Sequence, residues 1–142
     1  MRPHGRGVLD TNAVIRLAEV DPMRLPTESV ITTVTLAELT VGPLVAADPA
    51  ERAARQQHLQ QAESDFGDPL PFDAAAARAF GPMAAALRAA GRKPTARAFD
   101  AMIAAVAVSE GLPLYTFNAA DFAATGAEIV DLNAAPPTAP QS

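Results

Sequence analysis

Val8-Leu9-Asp10-Thr11-Asn12-Ala13-Val14-Ile15 is the stretch on which the fold of this chain turns. Gly7-Val8-Leu9 is a short apolar run of the kind that forms a buried strand, and it stops on an aspartate. Val14, Ile15, Leu17 and Ala18 then recur at helical spacing as far as Glu19. A buried strand that passes at once into a helix is a building unit of an α/β sheet, and it leaves Asp10 at the strand's carboxyl end.

The same alternation continues along the chain. Pro22 and Pro26 interrupt it, and Ser29-Val30-Ile31-Thr32 predicts a second strand. A helix from about Thr35 carries Leu36, Leu39 and Leu44, with Gly42-Pro43 weakening or ending it. Asp48-Pro49-Ala50-Glu51 combines a capping aspartate, a proline at the first helical position and a glutamate three residues after the cap. The polar, Gln-rich helix that follows runs to Phe66-Gly67. Two prolines in Pro69-Leu70-Pro71-Phe72 allow only a short edge strand. Asp73 caps an Ala-rich helix to Gly91, expected to break or kink at Gly81-Pro82. Thr95 caps another to Glu110, closed by Gly111 and Pro113. Leu114-Tyr115-Thr116 predicts a strand, Asn118 a short helix through Phe122, and Glu128-Ile129-Val130-Asp131 a last strand. Strands alternating with helices imply right-handed crossovers and a mostly parallel sheet covered on both faces. One domain over residues 1–132 and a disordered Pro/Ala/Thr/Gln tail over 133–142 is the expected organisation.

Composition narrows the chemistry. The 142 residues contain no cysteine, which excludes disulfides, thiol catalysis and zinc–thiolate sites. The only histidines are His4 and His58, too few for a histidine-rich metal site; His58 lies in a polar helix and reads as an exposed structural residue. No apolar stretch is long enough for a signal peptide or a membrane span, so a cytoplasmic location is the expectation. The net charge of −5 comes from 16 acids and 11 bases. Setting aside Asp10, Glu38, Asp100 and Asp121 leaves 12 against 11, so the remainder is nearly neutral. Such a balance argues against strong non-specific binding of long duplex DNA, and against little else.

Those four acids are the candidate site. Asp10 ends the first strand, Glu38 follows the second, and Asp121 follows Thr116. Each also has a plain structural use: Asp10 as a helix cap, Glu38 as the partner of Thr35 in a capping box, Asp121 as a first-turn acid after Asn118. Asp100 sits in Ala98-Phe99-Asp100-Ala101-Met102-Ile103-Ala104-Ala105-Val106-Ala107, an almost wholly apolar helix expected to be buried. A buried carboxylate must be paired, protonated or bound to metal, and Arg97, three residues earlier, is available as a plain ion-pair partner. Convergence tips the balance. In an open parallel sheet the site lies beyond the carboxyl ends of the strands, where these acids collect. Like charges packed together need cations between them or raised pKa values. All-oxygen ligands select Mg²⁺ or Mn²⁺, and phosphodiester hydrolysis is the chemistry that uses such a cluster without histidine or a serine nucleophile.

Taken together, V-L-D-T-N-A-V-I, T-L-A-E-L-T-V-G, R-A-F-D-A-M-I-A-A-V-A and L-Y-T-F-N-A-A-D-F resemble, in order and spacing, the acidic motifs of the PIN-domain family, more narrowly its VapC-type ribonuclease toxins. The resemblance runs from Val8 to about Leu132. It implies a three-layer α/β/α sandwich and Mg²⁺- or Mn²⁺-dependent endonucleolytic cleavage of RNA. It also implies a VapB-type antitoxin partner and a homodimer. Asp10, Glu38, Asp100 and Asp121 would be the catalytic metal ligands, with Thr11, Thr116 and Asn118 in support. Phe117 stands where relatives often carry arginine, which leaves a phosphate contact missing or replaced by base stacking. Arg92, Lys93 and Arg97 are candidate substrate-binding residues, a phosphate clamp leading toward Asp100; Arg88 reads as a solvated helix end.

Three rivals are weaker. A haloacid-dehalogenase-like phosphatase needs a second aspartate where Asn12 stands. A phosphoacceptor receiver needs a lysine near the sheet's end, whereas Lys93 precedes a helix. A non-catalytic PIN-like binding or co-repressor subunit would have lost one of the four acids, and none is lost here.

Overall fold

The computed structural model describes residues 5–92 and 97–133. Its centre is a four-stranded, wholly parallel sheet of β1 (Arg6–Leu9), β2 (Glu28–Val30), β3 (Leu114–Thr116) and β4 (Ile129–Asp131), in the order β2-β1-β3-β4. Val8 pairs with Val30 on one side and Leu114 on the other, and Leu114 with Ile129. Side chains alternate across a strand, so neighbouring residues feed two cores. Val8, Val30 and Leu114 meet Met83, Ile103 and Ala104 on one face. Leu9, Ile31 and Tyr115 meet Ala13, Leu39 and Ala62 on the other. Helices α4 (Ala74–Ala89) and α5 (Ala98–Ser109) cover the first face, and α1 (Thr11–Ile15) and α3 (Pro49–Asp65) the second. Helix α2 (Thr33–Leu44) gives Val34 to one core and Leu39 to the other. The parallel sheet covered on both faces that the alternation predicts, and the α/β/α sandwich that the resemblance implies, are therefore the fold.

Local boundaries depart from the sequence reading for identifiable reasons. The first helix closes at Ile15, and Leu17–Glu19 continue as a 3₁₀ turn. Thr32, expected inside β2, is the cap of α2: its hydroxyl accepts the Thr35 N–H at 3.1 Å. Glu38 is thus in the second turn and has no part in a capping box. Pro69–Phe72 contributes a single bridge, Leu70 to Thr32, rather than a strand. Helix α4 runs through Gly81-Pro82 to Ala89, and α2 reaches one residue past Pro43. Each proline removes one backbone hydrogen bond, and the alanines around Pro82 have the highest helix propensity of any residue. Thr95, expected to cap α5, lies outside the described residues, as do 134–142 of the expected tail. Helix α5 ends on Gly111, whose φ of 67° lets Leu112 N–H return to Ala107 O at 2.9 Å. No described helix is long and apolar enough to cross a membrane.

Gly7 is required by packing. A Cβ there would lie 2.5 Å from Tyr115 Cε1 and 3.1 Å from Pro26 Cγ, and the Tyr115 ring is fully buried with nowhere to retreat. Gly7→Ala is expected to cost about 1–3 kcal/mol through overpacking, read as a lowered urea midpoint with an unchanged m-value. An unchanged midpoint would show that the β1–β3 layer yields.

Candidate active site

Asp10 is the most enclosed of the four acids, 3 % exposed. Its N–H donates to Tyr115 O at 3.1 Å, which fixes it at the junction of β1 and β3. Oδ1 caps α1 by accepting the Ala13 N–H at 2.8 Å, and Oδ2 accepts the Thr116 hydroxyl at 2.5 Å. The capping use and a site use coexist on one side chain. Burial pushes the Asp10 carboxyl up from its ordinary pKa; the Thr116 and Ala13 hydrogen bonds pull it down, and the charges of Asp100 and Asp121 push it up again.

Glu38 projects from α2 toward Thr11, whose hydroxyl donates to Oε1 at 2.6 Å. Thr35 Oγ1 lies 3.1 Å from Thr11 Oγ1 and is fully buried. A threonine has one proton to donate, so Thr11 gives its own to Glu38 and accepts from Thr35. The sequence reading missed Thr35 as an orienting group, treating it as a helix start. Its spacing of three from Glu38, one helical face, was the available signal. Burial raises the Glu38 pKa, the Thr11 bond opposes this, and Asp100 and Asp10 add to it.

Asp100 departs from expectation. Because α5 starts at Ala98, Asp100 belongs to the first turn, and its side chain is 35 % exposed. A helix N-terminus suits a carboxylate. Partial burial still raises its pKa, Arg97 lowers it, and Asp121 raises it. Asp121 lies in the 3₁₀ turn Ala119–Phe122. Arg97 Nη1 reaches its Oδ2 at 2.9 Å and Arg92 Nη1 its Oδ1 at 3.2 Å. Arg97 stands 3.8 Å from Asp100, so its closer partner is the acid on the other element. Arg92 also donates to Ala120 O at 3.3 Å.

The expected clamp arginines therefore pair with an acid of the site. Lys93 lies outside the described residues; Arg88 is exposed, and His58 is partly covered rather than exposed because it shares α3 with the core-facing Ala62. Thr116 is fully buried and links two parts of the site, donating to Asp10 and accepting the Asn118 N–H at 2.9 Å. Asn118 contributes through its backbone, and its side chain caps nothing in the 3₁₀ turn.

Asp100 and Asp121 repel Asp10, Asp10 and Asp100 repel Glu38, and Asp121 repels Asp100, so the four carboxylates form one acidic region. In donor chemistry the set fits a hard divalent cation. Among the described residues no three acids already surround a single point at ligand distance. Thr11 holds Glu38, and Asp121 is engaged by both arginines.

The parallel sheet in the order β2-β1-β3-β4 thus carries its acids beyond the carboxyl edge. Residues 7–128 match the family model described as "PIN domain", and the chain belongs to the PIN-domain family. Among individual relatives, Ribonuclease VapC5 of Mycobacterium tuberculosis (strain ATCC 25618 / H37Rv) is 40% identical over 130 residues, covering 89% of this chain and 93% of the relative. The crystal structure of VapBC-5 from Mycobacterium tuberculosis, a member of the VapBC family of toxin–antitoxin systems, superposes with a TM-score of 0.73 at 40% identity, covering 89% of this chain and 98% of that one. VapBC2 from Rickettsia felis, solved bound to a DNA fragment from its promoter, gives 0.71 at 19% identity over 90% of this chain and 99% of that one, a likeness of fold alone.

Proposed function

We propose that this protein is a Mg²⁺- or Mn²⁺-dependent endoribonuclease, the toxin of a VapBC-type pair. The observation that carries the reading is Asp10: a carboxylate almost wholly buried, aimed by Thr116 and the Ala13 N–H, and repelled by Asp100 and Asp121. The 40% identity to a protein named a ribonuclease supports the substrate class. A VapB-type antitoxin as partner draws on the likeness to VapBC-5, and the homodimer on the family resemblance.

Asp10, Glu38, Asp100 and Asp121 would hold the cation. Bound there, it would supply Lewis acidity, lowering the pKa of a water and neutralising charge on the phosphate and the departing oxygen. The protein's own contribution is orientation and proton handling. Thr116 fixes Asp10, and the Thr35–Thr11 relay fixes Glu38. Of these two, Glu38 has an oxygen without a hydrogen bond among the described residues to face the attacking water, whereas Asp10 has both oxygens engaged. Hydrolysis adds the water oxygen to phosphorus and returns a proton to the departing sugar oxygen.

The test is incubation of purified, antitoxin-free protein with total cellular RNA in Mg²⁺, in Mn²⁺ and in EDTA, alongside Asp100→Asn. Discrete fragments that need metal and vanish in the variant are expected. A second reading, a non-catalytic binding or co-repressor subunit, is favoured by the Arg92 and Arg97 pairing that occupies Asp121. Folded wild-type protein that cuts nothing under either metal would select it.

A further inference from the structure

A cationic group stands on the carboxyl edge of the sheet outside the four acids. Arg16, immediately after α1, lays its guanidinium over the Phe117 ring, with Cζ 3.8 Å from the ring centroid. Phe117 is a firm platform: its ring packs against the core of Leu9, Ala13 and Tyr115, and its carbonyl accepts the Asn133 side-chain amide. It directly follows Thr116, which donates to Asp10, so the stacked pair begins one residue from the most buried contact of the site.

Among the described residues the carboxylate partner of Arg16 is Glu19, a poor competitor. Nε and Nη2 donate to Glu19 at 3.1 and 3.2 Å, but Glu19 is 60% exposed and Arg16 38%. A pair this open to water is weak and easily exchanged. Nη1 has no partner among the described residues. Arg92 and Arg97 both pair with Asp121. The guanidinium on Phe117 is thus delivered to the end of β3 from the neighbouring element. A guanidinium over a ring face keeps its N–H donors off the ring and available at their edge, and its fork suits a phosphate.

Resting on the ribonuclease reading, we propose that Arg16 positions the RNA strand by gripping a phosphate that flanks the scissile one, and that Phe117 is the platform for that guanidinium rather than for a base.

The test uses the full chain carrying Asp100→Asn to stop cleavage, a fluorescein-labelled single-stranded RNA of mixed sequence, Mg²⁺ and a salt series. Adding Arg16→Ala should weaken binding about tenfold and lower the slope of log affinity against log salt by about one. Arg16→Lys should restore the slope with part of the affinity, because charge returns without the planar fork. Phe117→Leu should weaken binding with the slope kept, since the charge remains while its platform is lost. Thermal midpoints should stay together for the Arg16 variants, while Phe117→Leu, which loses core contacts, should melt lower yet remain folded at the binding temperature. An Arg16→Ala variant with the parent's affinity and slope would overturn the role of Arg16 alone. A parent that binds no RNA even at low salt would overturn the ribonuclease reading, and this assignment with it.

Discussion

Asp10→Asn should abolish RNA cleavage and, in the same protein without metal, raise the thermal midpoint at neutral pH. The loss of rate should be at least about a hundredfold, or about 2.7 kcal/mol of transition-state stabilisation. The gain in stability follows from what burial does to Asp10. Desolvation of the carboxylate is the largest single influence on it, and with the charges of Asp100 and Asp121 it leaves the pKa raised despite the hydrogen bonds from Thr116 and Ala13. An amide keeps the cap, since its oxygen can accept the Ala13 N–H as Oδ1 does now. It disturbs Thr116, whose hydroxyl would receive the new NH₂ and have to turn its own proton elsewhere. Redirecting a neutral hydroxyl is a smaller cost than keeping a charge out of water. Asp10→Ala separates the contributions. It also removes the charge, but it deletes the cap, a loss of about 1 kcal/mol, and leaves the buried Thr116 hydroxyl without its acceptor. Asparagine should therefore melt above wild type and alanine below asparagine, with about 2–8 °C for each kcal/mol in domains of this size class. An Asp10→Asn protein that melts below wild type in EDTA would mean that the Thr116 and cap contacts outweigh desolvation. A folded variant that still cuts would remove Asp10 from the chemistry.

The parts of this molecule that could be read from sequence are those set by short-range rules. Val8-Leu9-Asp10 declares a buried strand and its end because apolar runs and turns are local, and the parallel order follows from the helices between strands. Asp48 and Asp73 were legible as caps for the same reason, and both accept the N–H three residues on. Asp100 was misjudged because the apolar content of a helix says little about where its first turn falls. Arg97 shows the limit more sharply. Spacing of three pairs it with Asp100, but the shorter contact is to Asp121, twenty-four residues away and on another element. Arg16 on Phe117 and Thr35 behind Thr11 are contacts of the same kind, made only when two elements meet. No periodicity within one segment encodes them.

Mg²⁺ or Mn²⁺ should raise the thermal midpoint of the wild-type protein, by an amount that grows with pH and largely disappears in Asp100→Asn. Burial, and the other carboxylates, hold the pKa values of Asp10, Glu38 and Asp100 above their ordinary ones. An acid whose pKa is higher folded than unfolded binds more protons in the folded state. Its contribution to stability is complete below the unfolded pKa and is lost as pH rises through the folded one. Without metal, then, this site works against the fold at neutral pH, and mild acidification toward the ordinary carboxylate range should raise the midpoint. A cation reverses the dependence, because it binds the deprotonated carboxylates and replaces their repulsion with attraction. At one hundred times its dissociation constant a ligand specific for the folded state contributes about 2.7 kcal/mol, well within reach of a melting curve. Asp100→Asn removes one oxygen anion and with it part of the repulsion, so its metal-free midpoint should exceed that of wild type and its response to metal should shrink. EDTA should return the loaded wild type to its metal-free curve. A metal response that is absent at every pH, or that falls as pH rises, would mean that these carboxylates do not bind the ion, and the acids at the sheet's edge would then be left with Thr116, Thr11 and the two arginines as their partners.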